Sequence, residues 1–362
     1  MKSIVYTRTG GPEVLELVES DIVEPSAGEV RVRVVVSGVN PTDWKSRVGG
    51  GASRELEHPQ TPNQDGAGVV DAVGPGVSRF VVGQRVWLRD AAYQRPTGTA
   101  TEFVVLPATL VNPLPDGVSF DVGASLGIPA LTAHRALTAR ETGPAKLAPG
   151  SLAGQHVLVA GGAGAVGHAA IQLAVWAGAT VITTVSSEQK ADLAWRAGAH
   201  YVIDYRSENT VERVAAIAPH GVETIVEVNP RANIGMDVEM IANGGTVAIY
   251  VSGTPDEVVI PGRASMTKNV RYQFILTYTT SEVQKASAVA AVTAAAADGA
   301  MGVGDAFGLP IIRYRLAETG AAHRAVEDGA VGKVLIDVGS FDLGNQARDA
   351  AAADLAPDGD AW

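Results

Sequence analysis

The chain has 362 residues, 46% hydrophobic and 19% charged, with 39 acidic against 28 basic side chains and no cysteine. That composition is globular, and the length exceeds one ordinary core, so two domains are expected. A net charge of −11 with no basic stripe argues against nucleic acid and anionic membranes as partners, and the missing cysteines remove disulfides, thiolate catalysis and Cys-ligated zinc. The first residues, MKSIVYTRTGGPEVLEL, reach charge and glycine quickly, and no apolar run attains membrane-spanning length. A cytoplasmic protein with neither signal peptide nor membrane span is therefore expected.

Residues 1–125 read as mostly β. Residues 4–6 are a short apolar run, and 14–18 alternate apolar with acidic residues. The segment 29–37, EVRVRVVVS, alternates valine with arginine and then turns wholly apolar, as a strand entering a core does. Residues 68–73, 83–88 and 102–106 add short strands, punctuated by Gly, Pro and Asp as in VGPGVSRFVVGQRV. Short strands at this spacing predict a compact, barrel-like β domain.

The rhythm changes near residue 125. Residues 120–137 read as a helix interrupted by Pro129. From His156 onward strands alternate with helices: strands HVLVAG, TVITTV, YVIDY, TIVEV and TVAIYVS, and helices over 166–177, 187–197, 210–217 and 234–241. Such alternation predicts a parallel, doubly wound sheet of the Rossmann type. A helix over 281–298 follows, then strand 309–314, helix 317–327 and strand 333–338. The end of the chain, with five Asp, one Arg and little periodic apolar content, reads as a flexible acidic tail over 341–362.

Within HVLVAGGAGAVGHAAIQLA the turn Gly162, Ala163, Gly164, Ala165, Val166, Gly167 carries G-x-G-x-x-G directly between an apolar strand and an apolar helix. In that setting one glycine permits the tight turn, the next lets backbone approach a pyrophosphate, and Gly167 lets helix and strand pack closely. An NAD site usually places an acidic side chain at the end of the next strand, about 20 residues on. This chain reads TTVSSEQK there, with Ser186 at the strand end and Lys190 one helical turn later. A hydroxyl and an ammonium suit a 2′-phosphate, which indicates NADPH. Glu188 stands nearby with reach to a ribose, and a solvated Lys190 is the bland alternative. Tyr205, after the following strand, is positioned to border the adenosine.

The segments GGPEVLEL, SGVNPTDW, DGAGVVDAVGPGVSRFVVGQRV, LGIPALTAHRAL, VLVAGGAGAVGHAAIQLA, TVSSEQKADLAWRAGAHYVIDY and GKVLIDV occur in this order. Together they make residues 1–338 resemble the zinc-independent quinone oxidoreductases, the zeta-crystallin group of the medium-chain dehydrogenase/reductase superfamily. The resemblance implies an α/β chain with a discontinuous GroES-like substrate domain (1–127 and 299–340) and a Rossmann NADPH domain (128–298), assembled as a homodimer. It implies that Asn229, Val251 and Ser252 line the nicotinamide ribose, that Asn40 and Thr132 approach the nicotinamide, and that Lys333 closes over the cofactor. Zinc-dependent relatives have a Cys near Val39–Asn40, a His–Glu pair at Gln64–Asp65 and a ligand near Ile128. Only a carboxylate, Asp65, remains here, so no zinc is expected. The seven histidines show no metal-ligand pairing and read as surface or packing residues.

Without a Lewis acid, the acceptor must spread incoming charge by conjugation, as quinones and α,β-unsaturated carbonyls do. Quinone oxidoreductases often have a tyrosine after VNP. This chain has VNPTDWKSR, with Trp44 and Lys45 in that place, a stretch similar to some enoyl reductases serving polyketide synthases. Lys45 is a candidate donor to an enolate oxygen and Trp44 a candidate stacking surface; a solvated charge and simple packing are the alternatives. The expected activity is NADPH-dependent reduction of a quinone, with enoyl or enone reduction second and a non-catalytic NADPH-binding protein third.

Overall fold

The structure, a computed structural model, describes residues 1–251 and 257–339. Ser252 and the acidic tail expected after residue 340 lie outside the described residues.

The first half is β-rich: β1 (Lys2–Arg8), β2 (Glu16–Glu19), β3 (Glu29–Gly38), helix α1 (Pro41–Val48), β4 (Glu55–Gln60), β5 (Asp65–Val73), β6 (Arg85–Leu88), β7 (Phe103–Pro107) and β8 (Val111–Pro113). The alternation in β3 sorts its faces. Val30, Val32, Val34 and Val36 are buried, while Arg31 turns outward to Asp71 at 2.6 Å and Glu24 at 2.9 Å. Helix α1 is not singled out by a reading of residues 1–125 as mostly β. Its signal was local: Pro41 opens the first turn, the Asn40 N–H donates to Asp43 Oδ2 at 2.7 Å, and Gly49 closes the helix at φ +70°.

The predicted helix over 120–137 is three pieces: α2 (Phe120–Ser125), a π-helical stretch Leu126–Ala130, and α3 (Leu131–Leu137). Pro129 has no N–H to continue the ladder, so the helix widens there. The widening leaves the Ile128 N–H to point outside the helix, onto the Asp65 carboxylate at 2.9 and 3.0 Å.

The parallel region comprises β9 (His156–Ala160), α4 (Ala165–Trp176), β10 (Thr180–Val185), α5 (Glu188–Arg196), β11 (Tyr201–Asp204), α6 (Thr210–Ile217), β12 (Val222–Glu227), α7 (Pro230–Met240), β13 (Ile241–Ile249), α8 (Gly262–Lys268), β14 (Arg271–Phe274) and α9 (Glu282–Ala297). Its six strands run in the order β11-β10-β9-β12-β13-β14, every pairing parallel. Strand order reverses between β9 and β12, which opens a crevice at the carboxyl ends of these strands, where ligands bind in such sheets. Apolar cores fill both faces, one around Ile171, Leu173 and Val181, the other around Ile203, Val222 and Ile225.

The chain then forms β15 (Ile311–Arg315), α10 (Thr319–Glu327) and β16 (Lys333–Asp337). Strand β16 pairs antiparallel with β3, Leu335 opposite Gly38 and Asp337 opposite Val36, so the last strands complete the first sheet. The fold is thus a GroES-like β-rich unit joined to a Rossmann unit. Among the described residues no helix is long and apolar enough to cross a membrane.

Candidate active site

The glycine-rich turn joins β9 to α4. A Cβ at Gly162 would collide with Thr183 Oγ1, and one at Gly167 with the Gly161 carbonyl oxygen. Packing alone therefore demands those two glycines. Gly164 differs: a Cβ there would meet only Gly161 O at 3.5 Å, an ordinary contact, and its φ of −83° suits any residue. The protein's own atoms do not require glycine at 164, whereas a group lying against the backbone would. The first helical bond runs from His168 N to Gly164 O at 2.8 Å, leaving the amides of Ala165, Val166 and Gly167 at the open end of a 12-residue helix. Backbone donors and the positive end of the helix dipole fit a pyrophosphate.

Next to this turn lies a cavity of about 220 Å³ lined by Gly161, Ala163, Gly164, Ser186, Lys190 and Tyr205, with Gly329, Ala330 and Val331 opposite. Ser187 caps α5 by accepting from the Lys190 N–H, and the Lys190 ammonium donates to Ser186 Oγ at 3.0 Å. Tyr205 keeps 53% of its surface exposed at the rim. Glu188, the complicating carboxylate, is exposed and outside the lining. The arrangement presents one cation and a hydroxyl to an anion and no carboxylate, which fits a 2′-phosphate.

Lys333 requires a correction. Residues 329–331, unremarked in the sequence, form the wall over this cavity. The Lys333 side chain instead runs inward, 1% exposed, and its ammonium donates to Asn40 Oδ1 at 2.7 Å and Val39 O at 3.2 Å. Asn40 is equally committed: it is 2% exposed, and its Nδ2 donates to Asp65 Oδ2 at 2.7 Å. Both residues stand behind the cleft's surface rather than on it.

This cluster stands at the positions where the resemblance placed the metal ligands of zinc-dependent relatives. Asn40, Asp65 and Ile128 do converge, but they satisfy one another: Asp65 accepts from Asn40 and from the Ile128 N–H, and Asp43 accepts from Asn40 N and Gln64 N. Burial raises the Asp65 carboxyl to about 6 in spite of Lys333 and these donors. Burial and the neighbouring Asp65 also push Asp43 up, while burial pushes Lys333 down. Desolvation thus outweighs pairing at each group. Among the described residues no three His, Cys, Asp or Glu side chains group to hold a metal ion.

Of the other expected contacts, Thr132 lies on α3 with its hydroxyl 3.5 Å from Thr277 Oγ1. Asn229 is the exposed N-cap residue of α7, beyond β12, and Val251 follows β13 half-buried. Behind Asn229, Glu227 Oε1 accepts from the Asn229 N–H and from Asn233 Nδ2, the latter at 3.0 Å. Burial and the adjacent carboxyl raise Asp237 beside it. On α1, Trp44 is half-buried and Lys45 exposed, its ammonium 5.8 Å from the Trp44 ring centre. Sequence reasoning missed one group entirely. Tyr278, after β14, places its hydroxyl 3.0 Å from Thr42 on α1 and stacks on Tyr93. No local spacing signals a contact across 236 residues. Three histidines are packing groups: His134, His168 and His323 are buried, and burial lowers each, to about 4, 4 and 3.

Two family models match the chain, alcohol dehydrogenase GroES-like domain over residues 26–116 and zinc-binding dehydrogenase over 165–292. The second spans neither Asn40, Asp65 nor Ile128, so its description carries nothing about metal here. Quinone oxidoreductase of Lama guanicoe is 32% identical over 343 residues, covering 93% of this chain and 97% of that protein. The Rattus norvegicus quinone oxidoreductase is 35% identical over 273 residues, 74% and 78% of the two chains. The Escherichia coli quinone oxidoreductase complexed with NADPH matches at a TM-score of 0.76 and 26% identity, covering 93% of this chain and 100% of that one. The glycine turn, the two-unit fold and these matches agree, and the chain belongs to the quinone oxidoreductase family of the medium-chain dehydrogenase/reductases.

Proposed function

We propose that this protein is an NADPH-dependent, zinc-independent reductase that delivers hydride to a conjugated acceptor, in the first place a quinone. The observation that carries the reading is the single cavity in which Gly164, Ser186 and Lys190 meet beside the start of α4. NADPH, when bound, supplies the hydride. Ala165, Val166 and Gly167 amides hold its pyrophosphate, and Ser186, Lys190 and Tyr205 hold the 2′-phosphate end. Asn229, Val251 and Thr132 flank the nicotinamide side. Asn40 and Lys333 act from behind, fixing the wall through their mutual hydrogen bond. Asp65, tied to Asn40 and Ile128, has its donors and acceptors committed within the protein and is poorly placed to take a metal.

The working units are residues 1–127 with 299–340, and 128–298, the acceptor entering between them. The protein is proposed to act in the cytoplasm as a homodimer. Strand β14 supports the dimer: it is the sheet's edge, and Phe274 on it is 52% exposed. A second reading, enone reduction, is favoured by the exposed Lys45 beside Trp44, a cation placed to meet an enolate oxygen.

The test is NADPH oxidation against a panel of quinones, enals and enoyl thioesters. Quinone turnover is expected. Turnover confined to the enals or thioesters would replace the quinone with an enone, and tight NADPH binding without any turnover would make this a binding protein. Chelator-sensitive activity with stoichiometric zinc would overturn the metal-free chemistry.

A further inference from the structure

Hydride addition to a conjugated acceptor leaves negative charge on an oxygen, and that oxygen needs a proton. The donors near the nicotinamide side are unequal. Asn40 and Lys333 are spent on each other and on Asp65 and Val39. Lys45 is exposed and points its ammonium over Trp44. Tyr278 is different in kind. Its backbone belongs to the segment between β14 and α9, yet its hydroxyl meets Thr42 on α1 at 3.0 Å. Its ring lies flat against Tyr93, 4.2 Å between centres and 3° between planes, and Tyr93 comes from the segment after β6. The preceding residue, Thr277, reaches Thr132 at 3.5 Å. A buried phenol is thus held from both units, and the residue before it in the chain touches Thr132, the threonine proposed for the nicotinamide side.

We propose that Tyr278 is the catalytic acid of this enzyme: Thr42 donates to the phenol oxygen, and the phenol gives its own proton to the oxygen of the reduced acceptor. The role rests on the reading of the chain as a conjugated-acceptor reductase. The balance closes. Hydride carries two electrons and one hydrogen from the dihydronicotinamide to the acceptor. The Tyr278 O–H bond breaks as a new O–H bond forms on the acceptor anion. The phenolate takes a proton from the Thr42 hydroxyl, which is replenished from solvent at that half-buried position. The sum is acceptor, NADPH and one proton giving the reduced acceptor and NADP⁺.

The surroundings keep the proton on the phenol until it is needed. Burial first, then the carboxyl of Asp43, and more weakly those of Asp65 and Asp90, hold Tyr278 above the ordinary tyrosine range, while the Thr42 bond acts the other way. Tyr278 therefore stays protonated across the neutral range, so a proton is present to give, and the Thr42 hydrogen bond, which opposes the rise, eases its transfer.

The competing role is structural, with Tyr278 merely fastening the two units. Tyr278→Phe separates the two, because it keeps the ring and its stack on Tyr93. Steady-state NADPH oxidation is measured with quinones whose hydroquinones differ in acidity, alongside NADPH affinity by fluorescence titration. The expected loss in kcat is about 10²-fold, the lower end of general-acid effects, and largest for acceptors whose reduced oxygen is most basic. NADPH affinity stays at the wild-type value. Thr42→Val, which removes the partner that aims the hydroxyl, shows a smaller loss with the same grading. Wild-type kcat in Tyr278→Phe would overturn the proposal. So would an equal loss on every acceptor with weakened NADPH binding, or the graded loss appearing in Lys45→Ala and not in Tyr278→Phe. A wild-type protein that binds NADPH but reduces no acceptor defeats the functional reading itself, and this role with it.

Discussion

The two ends of the cofactor cleft are built in different ways. At the adenosine end the proposed binding groups are backbone amides and three side chains carried on consecutive strand–helix units, β9-α4, β10-α5 and β11. At the proposed nicotinamide end the groups come from both units and meet across great distances, 293 residues from Asn40 to Lys333 and 236 from Thr42 to Tyr278. A phosphate is recognised by what a turn can offer locally. An acceptor that needs a proton and a shaped wall is recognised by groups that only tertiary packing assembles.

Breaking the buried cluster should have the largest effect. Lys333→Met strands Asp65 and Asp43 without their cation, and removing one partner of such a group costs about 3–5 kcal/mol. Urea unfolding is the measurement. Both carboxyls are raised by the fold, so their contribution is fullest at low pH and is lost as pH rises through their folded pKa, about 6 for Asp65 in the intact protein. The deficit in Lys333→Met should deepen from acid toward neutral pH. A variant as stable as wild type at pH 8 would mean that the lysine does not hold this cluster together.

The glycines of the turn divide next. Gly167→Ala forces a Cβ against the Gly161 carbonyl and should cost about 1–3 kcal/mol of stability as overpacking does. Gly164→Ala meets no such obstacle. Exchanging an N-cap glycine should cost about 1 kcal/mol or less, while NADPH affinity falls at least tenfold, about 1.4 kcal/mol. Equal behaviour of the two variants in thermal melts and NADPH titrations would erase the distinction between a packing glycine and a ligand glycine.

His168 gives the most pH-specific effect, one confined to acid. Its Nε2 donates to Phe307 O at 2.7 Å, and burial lowers it from 6.5 to about 4. Its contribution is full above pH 6.5 and is lost as pH falls toward about 4, because the unfolded chain takes up the proton first. His168→Gln keeps a donor and does not titrate. Its stability should fall less steeply in that window, by up to about 1.4 kcal/mol per pH unit. An unchanged acid slope would show that the imidazole is as easily protonated folded as unfolded.

The same division explains what could be read in advance. Valine alternation in β3, and the strand–turn–helix at 156–177, are local patterns, and both elements stand where the periodicity put them. Ser186 and Lys190 followed from one helical turn of spacing, and they share a cavity. Helix α1 was hidden by its mixed composition, although its Asn-Pro-x-Asp opening was visible. The π-helical stretch at Pro129 was foreseen as an interruption only; that it would free the Ile128 N–H for Asp65 depends on β5, some sixty residues earlier in the chain. Lys333 was misplaced for a related reason. Its strand position was right, but the direction of its side chain is set by Asn40. Tyr278 had no sequence signal, because its meaning comes from Thr42 and Tyr93.

The cleft beside Gly164 is proposed to select a 2′-phosphate through Ser186 and Lys190. The most direct measurement compares kcat/KM for NADPH and NADH with one quinone, in the wild-type protein and in Lys190→Glu. A strong preference for NADPH is expected in the wild type, with most of it lost in Lys190→Glu while NADH turnover is retained. A wild-type protein indifferent to the phosphate, or a Lys190→Glu protein that keeps the full preference, would contradict it.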